Sequence, residues 1–292
     1  MKQLKIFMFI HSIDIMDEFE GVSNSLYIPV IARIECSKRF PDFFYDSKAM
    51  ELEQRIPADS WVGSSEYAII AFVSRYHVFD RIISNFINDN DECNIILLGA
   101  GFDTCYERVY PEDSKHLAKW YYVDFPQVIE ARRKIIGMNE REINVPGDVL
   151  NPFWIEPIDC SLPSLIIVSG VFQFLFEEEV KIILELCKAH FSNGRILFDV
   201  TNENGLRYTN KLIKKTGVSK KEMHFCIDNP NRFAYLTDTS VLESVPLYDE
   251  PLKVLSRNLS TSTKVKIRRS NFSGKPKVVL LDLHRSKKSL ED

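Results

Sequence analysis

One stretch constrains this chain more than any other: Ile95-Ile-Leu-Leu-Gly-Ala-Gly-Phe-Asp-Thr104, in which four apolar residues run straight into a Gly-x-Gly turn. A short apolar run closed by glycine reads as a buried strand. Glycines there let the backbone take dihedrals that a side chain forbids and approach a ligand closely. Open α/β sheets bind ligands beyond the carboxyl ends of their strands, where this turn would sit. A plain tight turn would explain the glycines alone, so a second element matters. Trp120-Tyr-Tyr-Val-Asp124 is an apolar run ending in a carboxylate, 25 positions beyond Gly99. An acid at that place can accept hydrogen bonds from both ribose hydroxyls. Together the two elements point to a nucleoside-containing ligand.

The loop departs from the dinucleotide pattern G-x-G-x-x-G. Phe102, Asp103 and Thr104 follow Gly101, with no third glycine to let a helix pack closely beneath a pyrophosphate. A carboxylate at Asp103 would also repel a diphosphate at that helix start. Both features count against a nicotinamide oxidoreductase, the main rival enzyme class. A cofactor without phosphates fits better, and S-adenosylmethionine has an adenosine, a sulfonium and an amino-acid tail.

Around these motifs, short β-rich runs alternate with amphipathic stretches, the pattern of βαβ units and a parallel sheet. Strands are expected near Ile95–Leu98, Trp120–Asp124, Ile143–Val145, Leu165–Ser169 and Ile196–Val200. Helices are expected near Thr104–Val109, Pro126–Ile136, Glu177–Phe191 and Gly205–Thr216. From Gly21 to Asn90 apolar residues recur at spacings of three and four, so residues 1–90 read as a helical extension of one domain and 91–292 as its core. The stretch Cys226–Arg232 reads as polar and Ser256–Lys275 as a mobile loop. Lys277–His284 reads as a closing antiparallel edge strand.

A formal net charge of −4 argues against a polyanion binder, since nucleic-acid affinity comes from clustered Lys and Arg; the basic cluster Lys264–Arg269 is short. Six cysteines without a CxxC pair suggest small core hydrophobes in a reducing, cytoplasmic setting. Lys2–Met16 is too interrupted for a signal peptide, and no run reaches the roughly 18 apolar residues that cross a bilayer.

The chain resembles the leucine carboxyl methyltransferase family, most of all its bacterial polyketide-type O-methyltransferase branch. The matching segments are Gly21–Arg33, Ser74–Asp80, Leu98–Thr104, Val123–Pro126 and Gly170–Val180. The resemblance implies a class I methyltransferase: a doubly wound, mostly parallel seven-stranded α/β sheet that binds S-adenosylmethionine. It implies that Arg75 pairs with the cofactor carboxylate, Gly99 and Gly101 pass beneath the cofactor, and Asp103 bonds near its amine or to the loop backbone. Asp124 would hold the ribose, Asp148 would accept from the adenine amino group, and the Val149 N–H would face a ring nitrogen. Where the family has an acidic residue after the fourth strand, this chain has Ser169, which cannot offset the cofactor ammonium. Phe174 stands where the family pattern has tyrosine.

The resemblance places acceptor contacts in the N-terminal helices, with Tyr27 and Arg33 as candidates; Arg33 would steer an anionic acceptor or make a surface ion pair. The expected acceptor is a small molecule, with a protein C-terminal carboxylate as the alternative. A carboxylate acceptor needs no general base, whereas a phenol, with its pKa about three units above neutrality, would benefit from one. His77 has the right chemistry but lies in a helical run that suits a packed or surface histidine, so no catalytic base is assigned. No metal is expected, because the histidines lack ligand spacing. Ser169 also leaves open a cofactor-binding scaffold without catalysis.

Overall fold

In this computed structural model the described residues are 26–56, 65–110, 114–216 and 222–284. The Lys2–Met16 reading and residues 21–25 of the first family segment lie outside them.

The seven strands are β1 (Glu92–Leu98), β2 (Leu117–Asp124), β3 (Glu142–Pro146), β4 (Ser164–Val168), β5 (Gly194–Val200), β6 (Ser240–Pro246) and β7 (Lys277–Asp282). They form one sheet of order β3-β2-β1-β4-β5-β7-β6. The first five strands are parallel, while β7 runs antiparallel to both β5 and β6. Because β1 hydrogen-bonds to β2 on one side and β4 on the other, the strand order reverses there. That reversal opens a crevice above the β1 and β4 tips.

Strand periodicity divides the core between two faces. Ile95, Leu97, Trp120, Tyr122, Leu165 and Ile167 point to one face, against α1 (Tyr27–Arg39) and α3 (Glu66–Asn88). Ile96, Leu98, Tyr121, Val123, Ile166 and Val168 point to the other, against α6 (Glu177–His190). Both faces are covered, as a parallel sheet requires.

Local chemistry starts these helices. The Ser65 hydroxyl accepts the Ala68 N–H at 3.2 Å at the head of α3. Pro126 opens α5 (Pro126–Ile135), where its missing N–H costs nothing. In α2 (Ser47–Leu52) the Asp46 carboxylate caps the Ala49 N–H at 2.7 Å. Between β1 and β2 lies the short α4 (Cys105–Val109), and after β5 comes α7 (Glu203–Thr216).

Two expectations are corrected, and the polar stretch gains a helix. The segment read as a mobile loop carries α10 (Thr261–Ser273), preceded by the single-turn α9 (Asp249–Val254) outside that range. Ser260 caps α10 through the Thr263 N–H, and Glu66 on α3 accepts both the Ser260 N–H and its hydroxyl. Only Thr263 and Ile267 of α10 are buried, too few to leave an apolar stripe in the sequence. The polar stretch leads into α8 (Pro230–Leu236), capped by Asn229 with Pro230 in its first turn. Finally, β7 is antiparallel but interior; the true edge is β6, whose Glu243, Pro246 and bulge near Val241 suit an edge and hid it as a strand.

Candidate active site

The strand-to-helix loop after β1 is shaped by its glycines. Gly99 has φ +66° and Gly101 φ +51°, and a Cβ on Gly99 would sit 2.5 Å from Val171 Cγ2. The Gly99 and Ala100 N–H groups both donate to the Val123 carbonyl, at 2.9 and 3.1 Å, which seats the loop beside the β2 tip.

Asp124, at the end of β2, organises three segments. Its Oδ2 accepts the Gly101 N–H at 2.8 Å, its Oδ1 accepts the Phe125 N–H at 2.8 Å, and its carbonyl accepts the Gly147 N–H at 2.8 Å. Burial pushes its carboxyl above the usual range, although both N–H bonds favour the ionised form. Beyond β3, Asp148 is exposed and its Oδ1 accepts the Leu150 N–H at 3.0 Å, while the Val149 carbonyl accepts the Trp154 indole N–H at 3.3 Å.

Across the crevice, Arg75 reaches from α3 to the tip of β4. Its Nη1 donates to Asp199 Oδ2 at 3.2 Å, and Asp199 Oδ1 accepts the Gly170 N–H at 2.6 Å. Burial works against the Arg75 charge, but Asp199 offsets this and holds the guanidinium above its ordinary value. Gly170 has φ +71°, where a side chain is strained, and a Cβ there would lie 2.7 Å from Arg75 Nη1, so any larger residue would also require the guanidinium to shift. Among the described residues, the buried Arg75 Nε and the buried Ser169 Oγ have no hydrogen-bond partner. Unpaired buried polar atoms are costly unless a ligand or water satisfies them. A buried guanidinium N–H without a partner suits a ligand carboxylate, and the hydroxyl suits a ligand amine.

The other candidates are distributed differently. Asp103 is committed to Arg108, whose Nη1 and Nη2 both lie 3.2 Å from Oδ1. Tyr27 stacks obliquely on Phe102 with ring centroids 5.2 Å apart. Arg33 is not a surface ion pair: it is 1% exposed, its Nε lies 2.9 Å from Asp46 Oδ2, and its Nη2 donates to the Phe102 carbonyl at 2.7 Å. His77 pairs with Glu250 at 3.0 Å and stacks on Phe43. Among the described residues, no group of three or more His, Cys, Asp or Glu could hold a metal ion.

Sequence reasoning passed over Asp199 and Arg132. Asp199 is a lone carboxylate inside the apolar run Ile196–Val200, a signal that was there to read; Arg132 lay hidden in the run Arg132-Arg-Lys134.

The sequence profile of the leucine carboxyl methyltransferase family matches residues 32–187, which hold Arg75, the glycine loop, Asp124 and Ser169. The chain belongs to the leucine carboxyl methyltransferase family. It is an S-adenosylmethionine-dependent O-methyltransferase by that membership. It is 23% identical over 204 residues to the tetracenomycin polyketide synthesis O-methyltransferase TcmP of Streptomyces glaucescens, spanning 68% of this chain and 74% of that one. The fold is shared with a Thermobifida fusca protein assigned as a methyltransferase (TM-score 0.55, 17% identity, 92% of this chain and 100% of that one). A DUF574 family protein from Streptomyces avermitilis is also similar (TM-score 0.53, 14% identity, 86% of this chain and 96% of that one). Among the described residues no helix is long and apolar enough to cross a membrane.

Proposed function

We propose that this methyltransferase acts on an oxygen of a small molecule, a carboxylate or a hydroxyl, in the cytoplasm. The likeness to a polyketide O-methyltransferase supports the acceptor class, and six unpaired cysteines support the compartment. The observation that carries the site reading is the pair of anchors across the crevice: Asp124 beside the glycine loop and Arg75, whose buried Nε has no partner among the described residues.

When bound, S-adenosylmethionine supplies an electrophilic methyl on a sulfonium. Arg75 would hold the cofactor carboxylate while Asp199 fixes its guanidinium through Nη1. Asp124 accepts from the ribose, Asp148 and the Val149 N–H read the adenine, and Ser169 accepts from the ammonium. Gly99 and Gly101 keep the loop floor low enough for the cofactor, and Asp103 supports the loop through Arg108. Tyr27, against Phe102, borders the acceptor. Rate then comes from alignment and exclusion of water, which need no covalent intermediate.

Calorimetric titration with S-adenosylmethionine, S-adenosylhomocysteine and NAD tests this. Micromolar binding of both adenosyl ligands, lost in Arg75→Ala and Asp124→Ala, is expected; binding of NAD alone would overturn the reading. Methyl transfer to a panel of small-molecule acids and phenols then identifies the acceptor class.

A further inference from the structure

The glycine loop is held from below by two buried guanidinium groups that reach it from different parts of the chain. Arg33 on α1 donates from Nη2 to the Phe102 carbonyl at 2.7 Å. Arg132 on α5 donates from Nη1 to the Gly101 carbonyl at 3.3 Å and to the Asp103 carbonyl. Three consecutive carbonyls, those of residues 101 to 103, are therefore all turned into the protein and satisfied by charge.

Each guanidinium is itself fixed. Arg132 is 1% exposed, donates from Nη2 to Glu142 Oε1 at 3.3 Å, and lies over the Tyr122 ring, 3.6 Å from its centroid. Arg33 is equally buried and held by Asp46. The Phe102 ring completes the connection. It packs with Val30, Ile31 and Ile34 of α1 and Leu52 of α2, so helix and loop share one small core.

We propose that Arg33 and Arg132 are positioning residues of the cofactor site, holding the loop carbonyls down so that Gly99 and Gly101 present a fixed floor to S-adenosylmethionine. The proposal rests on the methyltransferase reading above. Neither residue touches the cofactor; each acts through the loop backbone. Charge-assisted bonds to carbonyls are stronger than neutral ones, and the planar fork spans groups that a lysine ammonium cannot reach together. Because Arg33 belongs to α1, docking of that helix and the shape of the loop form one equilibrium. Cofactor binding and α1 protection are thus reciprocally linked.

Hydrogen exchange on the cofactor-free full chain, with calorimetric binding of S-adenosylhomocysteine, tests the proposal in Arg33→Lys and Arg132→Lys. Lysine keeps the buried charge, and Arg33→Gln and Arg132→Gln replace any variant whose thermal unfolding shows that it has not folded. The expected result is at least tenfold faster exchange at the Gly101 and Asp103 amides, with Ile96 and Leu98 in β1 unchanged. At least tenfold weaker binding of S-adenosylhomocysteine accompanies it. In the unmutated protein the ligand slows exchange across α1, and Arg33→Lys diminishes that slowing. Loop exchange and binding within twofold of the unmutated protein would overturn the proposal, as would a loosened loop with unchanged affinity. Failure of the unmutated protein to bind either adenosyl ligand would instead sink the cofactor reading, before any variant is made.

Discussion

At the scale of single residues, two positions carry more than their size suggests. Gly99 meets two demands, a positive φ and a Cβ position 2.5 Å from Val171 Cγ2. Gly99→Ala is expected to cost about 2–4 kcal/mol, the left-handed conformation and the clash adding. Adding Val171→Ala should recover only the clash, which urea unfolding of the single and double variants measures. Glu107 on α4 is the second. Burial, with Glu142 nearby, pushes its carboxyl up to about 7, and its buried Oε2 has no partner among the described residues. A folded-state value above the unfolded one, about 4.3, means that protonation favours the fold. That contribution is fully present below the unfolded value and is lost as pH rises through about 7. Glu107→Gln should therefore be more stable than the unmutated protein at pH 8, by about 1–2 kcal/mol after allowing for partial exposure, with the difference fading below pH 5. Thermal unfolding across that range checks both the sign and the window.

At the scale of elements, one buried carboxylate ties three helices together. Asp46 caps α2 through the Ala49 N–H, accepts the Thr104 hydroxyl at 2.6 Å ahead of α4, and pairs with Arg33 of α1 at 2.9 Å and Arg108 of α4 at 3.2 Å. Burial opposes its charge, but Arg108 and Arg33 hold its carboxyl below the usual range. Its stabilising contribution is present above the unfolded aspartate value and falls away as pH drops through the folded one. Asp46→Asn keeps the shape and removes the counter-charge from two buried guanidinium groups, for an expected cost of about 3–5 kcal/mol. Guanidinium chloride unfolding measures that loss, and steeper acid destabilisation should be absent from the variant. This network also explains why Arg33 was misjudged: a sequence shows a charged residue on a helix, but only the packed helices show a second charge waiting inside.

At the scale of the whole molecule, the C-terminal strand closes the sheet from within. Leu281 of β7 is fully buried, opposite Ile196 of β5 on one side and Val241 of β6 on the other. Leu281→Ala should cost about 2–5 kcal/mol, as cavities in cores do. Circular dichroism and tryptophan fluorescence should lose structure together on heating, since β7 joins the edge strand to the parallel sheet. Separate transitions by the two probes would show that the antiparallel end unfolds by itself.

The parallel half of the sheet was readable because β1, β2, β4 and β5 are largely buried on both faces and so appear as near-continuous apolar runs. The glycine loop and Asp124 were readable for a related reason, since a turn of that shape and a carboxylate at that place are local requirements written in adjacent residues. The order of β6 and β7, the helix of Thr261–Ser273 and the ion pairs of Arg33, Arg132 and Asp199 were not local. A half-exposed edge strand and a helix burying two residues leave no periodic signal. A charge buried against a partner 10 to 124 positions away looks identical, in sequence, to one facing water. Sequence alone thus determined the doubly wound core and the kind of cofactor its first turn suits. The tertiary structure decided which charges hold that turn, because desolvation and pairing exist only once distant segments meet.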